Sequence, residues 1–226
     1  MASFTPSPLY TFRQVERSDL DALEELLFTS KLSLTINRLL FNDWPNEAAQ
    51  RHNYRTALEH KDFESDDRES LGVIDNASGK LIGHLALCRR QPEPQTQAAS
   101  PNVEGPEKQM KIPEHFNPEV YNAVMKAVRE LSFTGLEARE HYEVVYIAVD
   151  RAFRRRGIGR DLIRHVFAKA KAAGVPVAVS SEPQAYAFFT KMGFEETKSV
   201  EIDLAQWAPP YSGFGPFRLG SMIWNP

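Results

Sequence analysis

The sequence predicts one α/β domain interrupted by an insertion, and three observations carry that prediction. First, β-branched and aromatic runs alternate with stretches of helical periodicity along most of the chain. Second, 226 residues of which 42% are hydrophobic can bury a sizeable core without disulfides or a structural metal. Third, six of the 15 prolines crowd into residues 91–118, where large apolar side chains are few. That composition marks a loop insertion.

Taken in order, Tyr10–Val15 reads as a first strand. Ser18 then precedes Leu20, Leu23, Leu26 and Leu27, with Asp19 and Asp21 in the first turn, which predicts a capped amphipathic helix. A second helix is expected over Asn46–Phe63, after Pro45. Leu71–Ile74 and Lys80–Arg89 flank the turn-rich Asp75–Gly79 and predict a hairpin. Beyond the Pro-rich loop, residues 118–138 predict a helix with Tyr121, Val124, Met125, Val128, Leu131 and Leu136 on its apolar side. The insertion at 91–140 is too short to bury its own core and is expected between two strands of one sheet, so residues 1–226 are read as a single domain.

Tyr142–Val149 is a β-branched and aromatic run, expected as a central strand. The next helix carries Leu162, Ile163, Val166, Phe167 and Ala170 on one face and stops at Gly174 and Pro176. Val175–Val179 predicts a short strand. Ser181–Gln184 has capping-box spacing before Ala185, Phe188, Phe189 and Met192, and Gly193 ends that helix. Phe194–Leu204 and Phe217–Trp224 predict two last strands.

Composition excludes more than it names. A formal net charge of −3 supplies no global field for nucleic acid or membrane. The one cysteine, Cys88, excludes an internal disulfide framework. No apolar run reaches the ~18 residues that span a bilayer, and the N-terminus lacks a basic and apolar leader pattern. The expectation is a cytoplasmic protein, with the nucleus left open, that is a monomer or homodimer and binds neither nucleic acid nor membrane. The six histidines show no metal-ligand spacing, so no metal is expected.

One segment departs from the mean. Residues 150–171 hold eight basic and two acidic side chains, a local +6 that leaves −9 for the rest. Within it, Gly157 and Gly159 lie between a strand and a helix. Such a turn aims unpaired backbone N–H groups outward, at the positive end of the helix dipole. A pyrophosphate suits that place. No Lys-Ser or Lys-Thr follows these glycines, which excludes a P-loop, and Leu162 stands where a dinucleotide fingerprint needs glycine. The bland alternative is an exposed arginine run beside an ordinary turn.

Arg154-x-x-Gly157-x-Gly159 after Val149-Asp150 resembles the acetyl-CoA signature of the GNAT (Gcn5-related) N-acetyltransferases. Ala185-x-x-Phe188-Phe189-x-Lys191-Met192-Gly193-Phe194 resembles their second signature, in the right order about thirty residues on. Close resemblance covers 141–204. It implies an α/β (α+β) acyl-CoA N-acyltransferase fold: a mixed sheet of about seven strands, splayed in the middle, with acetyl-CoA in the splay. It further implies that the backbone of 155–160 holds the pyrophosphate, helped by Arg154, Arg155, Arg156 and Arg160. Gly157, Ile158 and Gly159 would form the turn, and Ile147, Ala148 and Val149 would pair with the pantetheine arm. Phe188, Phe189 and Lys191 of the second signature, with Ser181 shortly before it, complete the cofactor set.

The implied reaction is transfer of acetyl to a primary amine, of a small molecule first and of a peptide second. A CoA-binding module without catalysis is a third reading. Amine attack on a thioester needs a neutral amine and a stabilised oxyanion. Glu143, six residues before Val149, holds the position of the catalytic glutamate in the histone-acetyltransferase branch and leads as base, with His84 behind it. The tyrosine acid of the second signature is replaced by Phe189. Tyr186, one helical turn earlier, is the first stand-in; Tyr146, Ser180 and Ser181 are others, and a thiolate can leave unassisted. Phe41, Trp44 and Tyr54 lie where the family builds an acceptor wall. Core packing is the reading for Phe41 and Tyr54.

Overall fold

The computed structural model describes residues 9–62, 68–92, 112–133 and 135–226. Seven strands form one mixed sheet: β1 (Tyr10–Gln14), β2 (Arg68–Asp75), β3 (Leu81–Arg90), β4 (His141–Val149), β5 (Val177–Ser181), β6 (Glu195–Asp203) and β7 (Pro216–Trp224). Their spatial order is β1-β2-β3-β4-β5-β7-β6. Every neighbouring pair is antiparallel except β4 and β5. That one parallel pair needs a crossover, and α5 (Ile158–Ala173) supplies it.

The β4–β5 ladder is short. It joins Tyr142, Glu143 and Val144 to Val177, Ala178 and Val179 and then ends, while β4 runs on to Val149. On the other edge β4 stays paired with β3 throughout, but its register shifts between Ala86 and Leu87, which face Tyr146 and Val144. Val145 is therefore an extra residue, a bulge that bends β4 where it leaves β5.

Helices cover both faces. On one, α5 and α6 (Pro183–Lys191) pack with Tyr142, Val144, Val177, Val179 and Met222 in the largest core cluster. Leu162, Ile163, Val166 and Ala170 of α5 are fully buried there. Each large aliphatic among them contributes roughly 2 kcal/mol by leaving water. On the opposite face, α1 (Leu20–Lys31) and α3 (Glu47–Asp62) meet Ala148 and Tyr146 through Leu23, Leu26, Leu27 and Leu58. Further along that face α4 (Pro118–Glu130) sits on β6 and β7, where Val120 and Ala127 join Ile202, Phe217 and Leu219. A one-turn α2 (Asn37–Leu40) links α1 to α3.

The insertion does lie between two neighbouring strands, β3 and β4. Of its Pro-rich part, 93–111 is outside the described residues. Residues 115–117 dock onto the chain after α2: Asn42 N–H donates to the His115 carbonyl at 2.9 Å and Asn117 N–H to that of Leu40 at 2.8 Å.

Several boundaries differ from expectation. The helix expected to reach 138 ends at Glu130, because Leu131 is extended and Gly135 takes φ 88. Leu136 is still buried, on Ala178 and Ile223, so its apolar signal came from a loop crossing the sheet. Ser18 does not cap α1; a 3-10 turn over Arg17–Asp19 intervenes, closed by a capping box between Glu16 and Asp19. Ser181 does not cap α6 either: the N-cap is Glu182, and the Ser181 hydroxyl donates to the Glu182 carbonyl at 3.1 Å. The last residue expected in the second helix, Phe63, lies outside the described residues.

Candidate active site

Where β4 leaves β5, a cleft of about 880 Å³ opens. Val144–Val149 form one wall, Val179, Ser180 and Glu182 the other, and the start of α5 the mouth. Beyond Val144 the edge of β4 has lost its β5 ladder, so an extended ligand can lie along it as a strand would.

The uncapped start of α5 gives the mouth backbone donors of the kind that suit an anion. The first intrahelical bond of α5 runs from Asp161 N–H to the Gly157 carbonyl at 3.0 Å. The amides of Ile158, Gly159 and Arg160 precede it and have no acceptor within the helix. Gly157, the N-cap, provides no side-chain cap, whereas Asn117 caps α4 by accepting from Glu119 and Val120. Gly157 also takes φ 87, a conformation that resists any Cβ. Arg154, Arg155 and Arg160 line this mouth. Arg154 is fixed by donating to the Val149 carbonyl at 3.0 Å, and Arg160 by donating to Asp161 at 3.1 Å. This set fits a pyrophosphate-bearing group: backbone donors, a dipole and three guanidiniums converge, with Asp161 beside Arg160. Tyr10 donates to that carboxylate at 2.6 Å and helps satisfy it.

Most of the expected cofactor residues come together here. Ile147, Ala148, Val149, Arg154, Arg155, Gly157, Ile158, Gly159, Arg160, Phe188 and Phe189 all line the cleft. Three do not. Arg156 does not line it and lies over the Phe153 ring, 5.0 Å from its centroid. Ser181 is buried without facing the cleft, because the alternation of β5 gives the cleft Ser180 instead. Lys191 is exposed at the far end of α6.

The expected catalytic residues are placed differently. Glu143 sits in the still-paired stretch of β4, opposite Cys88 and Ala178, and accepts from Arg90 at 2.6 Å; it does not line the cleft. Tyr186 packs under Arg218, whose guanidinium is 5.1 Å from its ring, beside Gly220 and away from the cleft. His84 is fully buried and does not line the cleft either. Its ring lies 2.8 Å from the hydroxyl of Tyr146, which does line it. Phe41 is packed against Phe116 and Tyr54 against the α1–α3 core, as core residues are. Trp44 is half-buried and does not line the cleft.

Sequence reasoning missed the groups that close the cleft on the α1 side. Lys31, at the end of α1, reaches Glu182 with Nζ 2.5 Å from Oε1, and both line the cleft. Each is about one-quarter exposed, so the pair is shielded but not sealed. Asn37 braces this corner by donating to the Lys31 carbonyl and the Tyr54 hydroxyl, both at 3.2 Å. Burial, reinforced by the Glu182 charge, pushes the Tyr54 hydroxyl far above its usual range, so it stays protonated. No local pattern signals the Lys31–Glu182 pair, whose members are 151 residues apart.

A family model described as the acetyltransferase (GNAT) family matches residues 34–194. No curated protein matches the chain by sequence. Among solved structures, arylalkylamine N-acetyltransferase 2 from Aedes aegypti is similar with TM-score 0.62 at 14% identity, over 96% of this chain and 98% of that one. A histone acetyltransferase HPA2 and related acetyltransferase from Corynebacterium glutamicum gives 0.54 at 15%, over 96% and 97%. Arabidopsis thaliana NAA60, in complex with a bisubstrate analogue, gives 0.50 at 14%, over 96% and 97%. At these identities the likeness is one of fold. Among the described residues no group of three or more His, Cys, Asp or Glu is arranged to hold a metal ion, and no helix is long and apolar enough to cross a membrane.

Proposed function

Since this chain belongs to the GNAT acetyltransferase family, we propose that it transfers the acetyl group of acetyl-CoA to a primary amine of a small molecule, by direct attack within a ternary complex. The observation that carries the reading is the divergence of β4 from β5 beside the uncapped start of α5. The pyrophosphate is held by the amides of 158–160 with Arg154, Arg155 and Arg160, and the pantetheine arm lies along Ile147–Val149. Donors fixed in advance around the cleft cost no reorganisation when charge develops.

The amine enters from the α1 side. Glu182 supplies a carboxylate that attracts an ammonium, and Lys31 already shows it in that role. A small acceptor is favoured because α4 covers β6 and β7 while residues 115–117 dock beside α2, which narrows the approach among the described residues. The test is acetyl-CoA-dependent thiol release over a panel of arylalkylamines, polyamines, amino acids and short peptides. Turnover of small amines is expected. Turnover of peptides alone would replace the acceptor class. Binding of acetyl-CoA without turnover of any amine would favour a CoA-binding module, and absence of binding would overturn the reading.

A further inference from the structure

Away from its mouth, the cleft is lined by two charged side chains among the described residues, one of each sign. Lys31 ends α1 and Glu182 precedes α6, and they meet with Nζ 2.5 Å from Oε1. The other charges of the lining, Arg154, Arg155 and Arg160, belong to the mouth at the start of α5. Ser30 and Ser33 line the cleft from the Lys31 side, Gln184 and Ala185 from the Glu182 side, and all four are uncharged.

Each member of the pair is braced separately. The Gln184 side-chain amide donates at 3.3 Å to Glu182 Oε2, the oxygen that Lys31 does not take. Asn37 fixes the Lys31 backbone by donating to its carbonyl at 3.2 Å. Glu182 can therefore keep its place while the long Lys31 side chain swings to a new partner, and an ammonium has three hydrogens with which to find one.

Charge balance then selects the ligand. An acceptor that carries only an ammonium can replace Lys31 on Glu182. It leaves the Lys31 cation without its partner in a place about one-quarter exposed. Removing one member of a shielded pair is unfavourable, because the charge left behind has lost water and gained nothing. An acceptor with only an acid group has the opposite defect and abandons Glu182. A molecule with both charges satisfies both, its ammonium on Glu182 and its acid group on Lys31. Spacing narrows the class further. The two protein charges touch, so the two ligand charges must also lie close, as they do when one carbon bears both.

We propose that the acceptor is an α-amino acid with an uncharged side chain, or an analogue with ammonium and acid group on one carbon, and that Glu182 and Lys31 are its recognition pair. The proposal rests on the acetyltransferase reading above and narrows its amine to a zwitterion.

The test is acetyl-CoA-dependent thiol release by the whole chain on matched acceptors. Neutral α-amino acids are each set beside their decarboxylated amine and their carboxamide, and 2-aminobutyrate beside 4-aminobutyrate. The free amino acids are expected to lead both derivatives by about tenfold or more in kcat/KM, the scale of one charge-assisted hydrogen bond. 2-Aminobutyrate should lead its isomer. Lys31→Met removes the cation at similar length and should lower the amino-acid preference about tenfold, the same increment in reverse, chiefly through the amino-acid KM. Lys31→Arg should restore most of it. A ratio of two acceptors on one preparation does not depend on how much of a variant is folded. If the pair only latches α1 to α6, Lys31→Met will lower Tm and leave the preference unmoved, which overturns the proposal. Amines or carboxamides turned over by the parent protein as well as the free acids would also overturn it and leave the acetyltransferase reading standing. Failure of the parent both to bind acetyl-CoA and to turn over any amine would overturn that reading and the recognition pair with it.

Discussion

Phe189 stands where the second signature carries a tyrosine, and it shares the cleft with the aromatic Tyr146. Phe189 lines the cleft but is nearly inaccessible, packed edge-on against Phe188 and Phe194. Tyr146 brings a hydroxyl to the same cleft from the opposite wall. The sequence offered His84 and Tyr146 only as separate candidates, 62 residues apart. What joins them is register: His84 faces Ala148 and Ala86 faces Tyr146 across β3 and β4, so the two polar side chains are diagonal neighbours on one face. No pattern within either segment encodes that. Glu143 illustrates the reverse. Its spacing from the glycine turn was readable, but the strand is still paired there and Arg90 holds the carboxylate. Glu143→Gln should leave kcat within about threefold and cost at most about 1 kcal/mol in denaturant unfolding, the scale of a half-exposed ion pair. A loss near a hundredfold in kcat would restore Glu143 as base.

Strand β4 and helix α5 were the most legible elements, because a β-branched run, two glycines and an arginine cluster adjoin in the sequence. Their geometry follows from local rules: Gly157 takes positive φ, and the amides after it stay unpaired within the helix. Gly157→Asp sets a carboxylate among the phosphate donors in a backbone conformation that a side chain strains. Acetyl-CoA binding should be abolished in calorimetry, and near-normal affinity would refute the anion cradle. The opposite corner was illegible because it joins the end of α1 to the start of α6. Glu182→Gln should raise the amine KM by about tenfold, the equivalent of about 1.4 kcal/mol, with little change in the KM for acetyl-CoA. An unchanged amine KM would remove Glu182 as the ammonium anchor.

Over the whole molecule, the cleft divides the sheet. Among the described residues, β1–β4 meet β5–β7 in strand pairing through the three-residue ladder at its base. A ligand that touches both walls should therefore stabilise the fold. At a hundred times its Kd, acetyl-CoA should add about 2.7 kcal/mol, or roughly 5–10 °C in Tm for a chain of this size. Acid should act on the other side of the balance. The His165 and Lys169 side chains of α5 clasp Glu69 of β2 and hold its carboxyl at about 2, below the ordinary 4.5. A carboxyl depressed in the folded state adds stability above its unfolded value and loses it as pH falls through the folded one. Unfolding free energy should thus decline between pH 4.5 and 2, and Glu69→Gln should flatten part of that decline in acid titrations. The seven-stranded mixed sheet was legible through resemblance to a family. The packing of α4 on β6 and β7 was not, since an amphipathic helix states that it has a buried face without stating against what.

The bulge at Val145 has a consequence for how the strand is read. Tyr142 and Val144 face α5, and so do Ile147 and Val149. Even numbers point inward before the bulge and odd numbers after it. The strand changes parity at one residue, and that change leaves Tyr146 and Ala148 together on the α1 side. Plain alternation that kept Val145 in the ladder could not satisfy both halves. Either Tyr142 and Val144 would exchange faces with Glu143, or Tyr146 would swing to the α5 side, leaving His84 behind. A single codon thus acts as a phase marker for the cleft. A homologous chain with a one-residue gap here keeps the same faces without the bulge, whereas one that has the residue but no bulge does not.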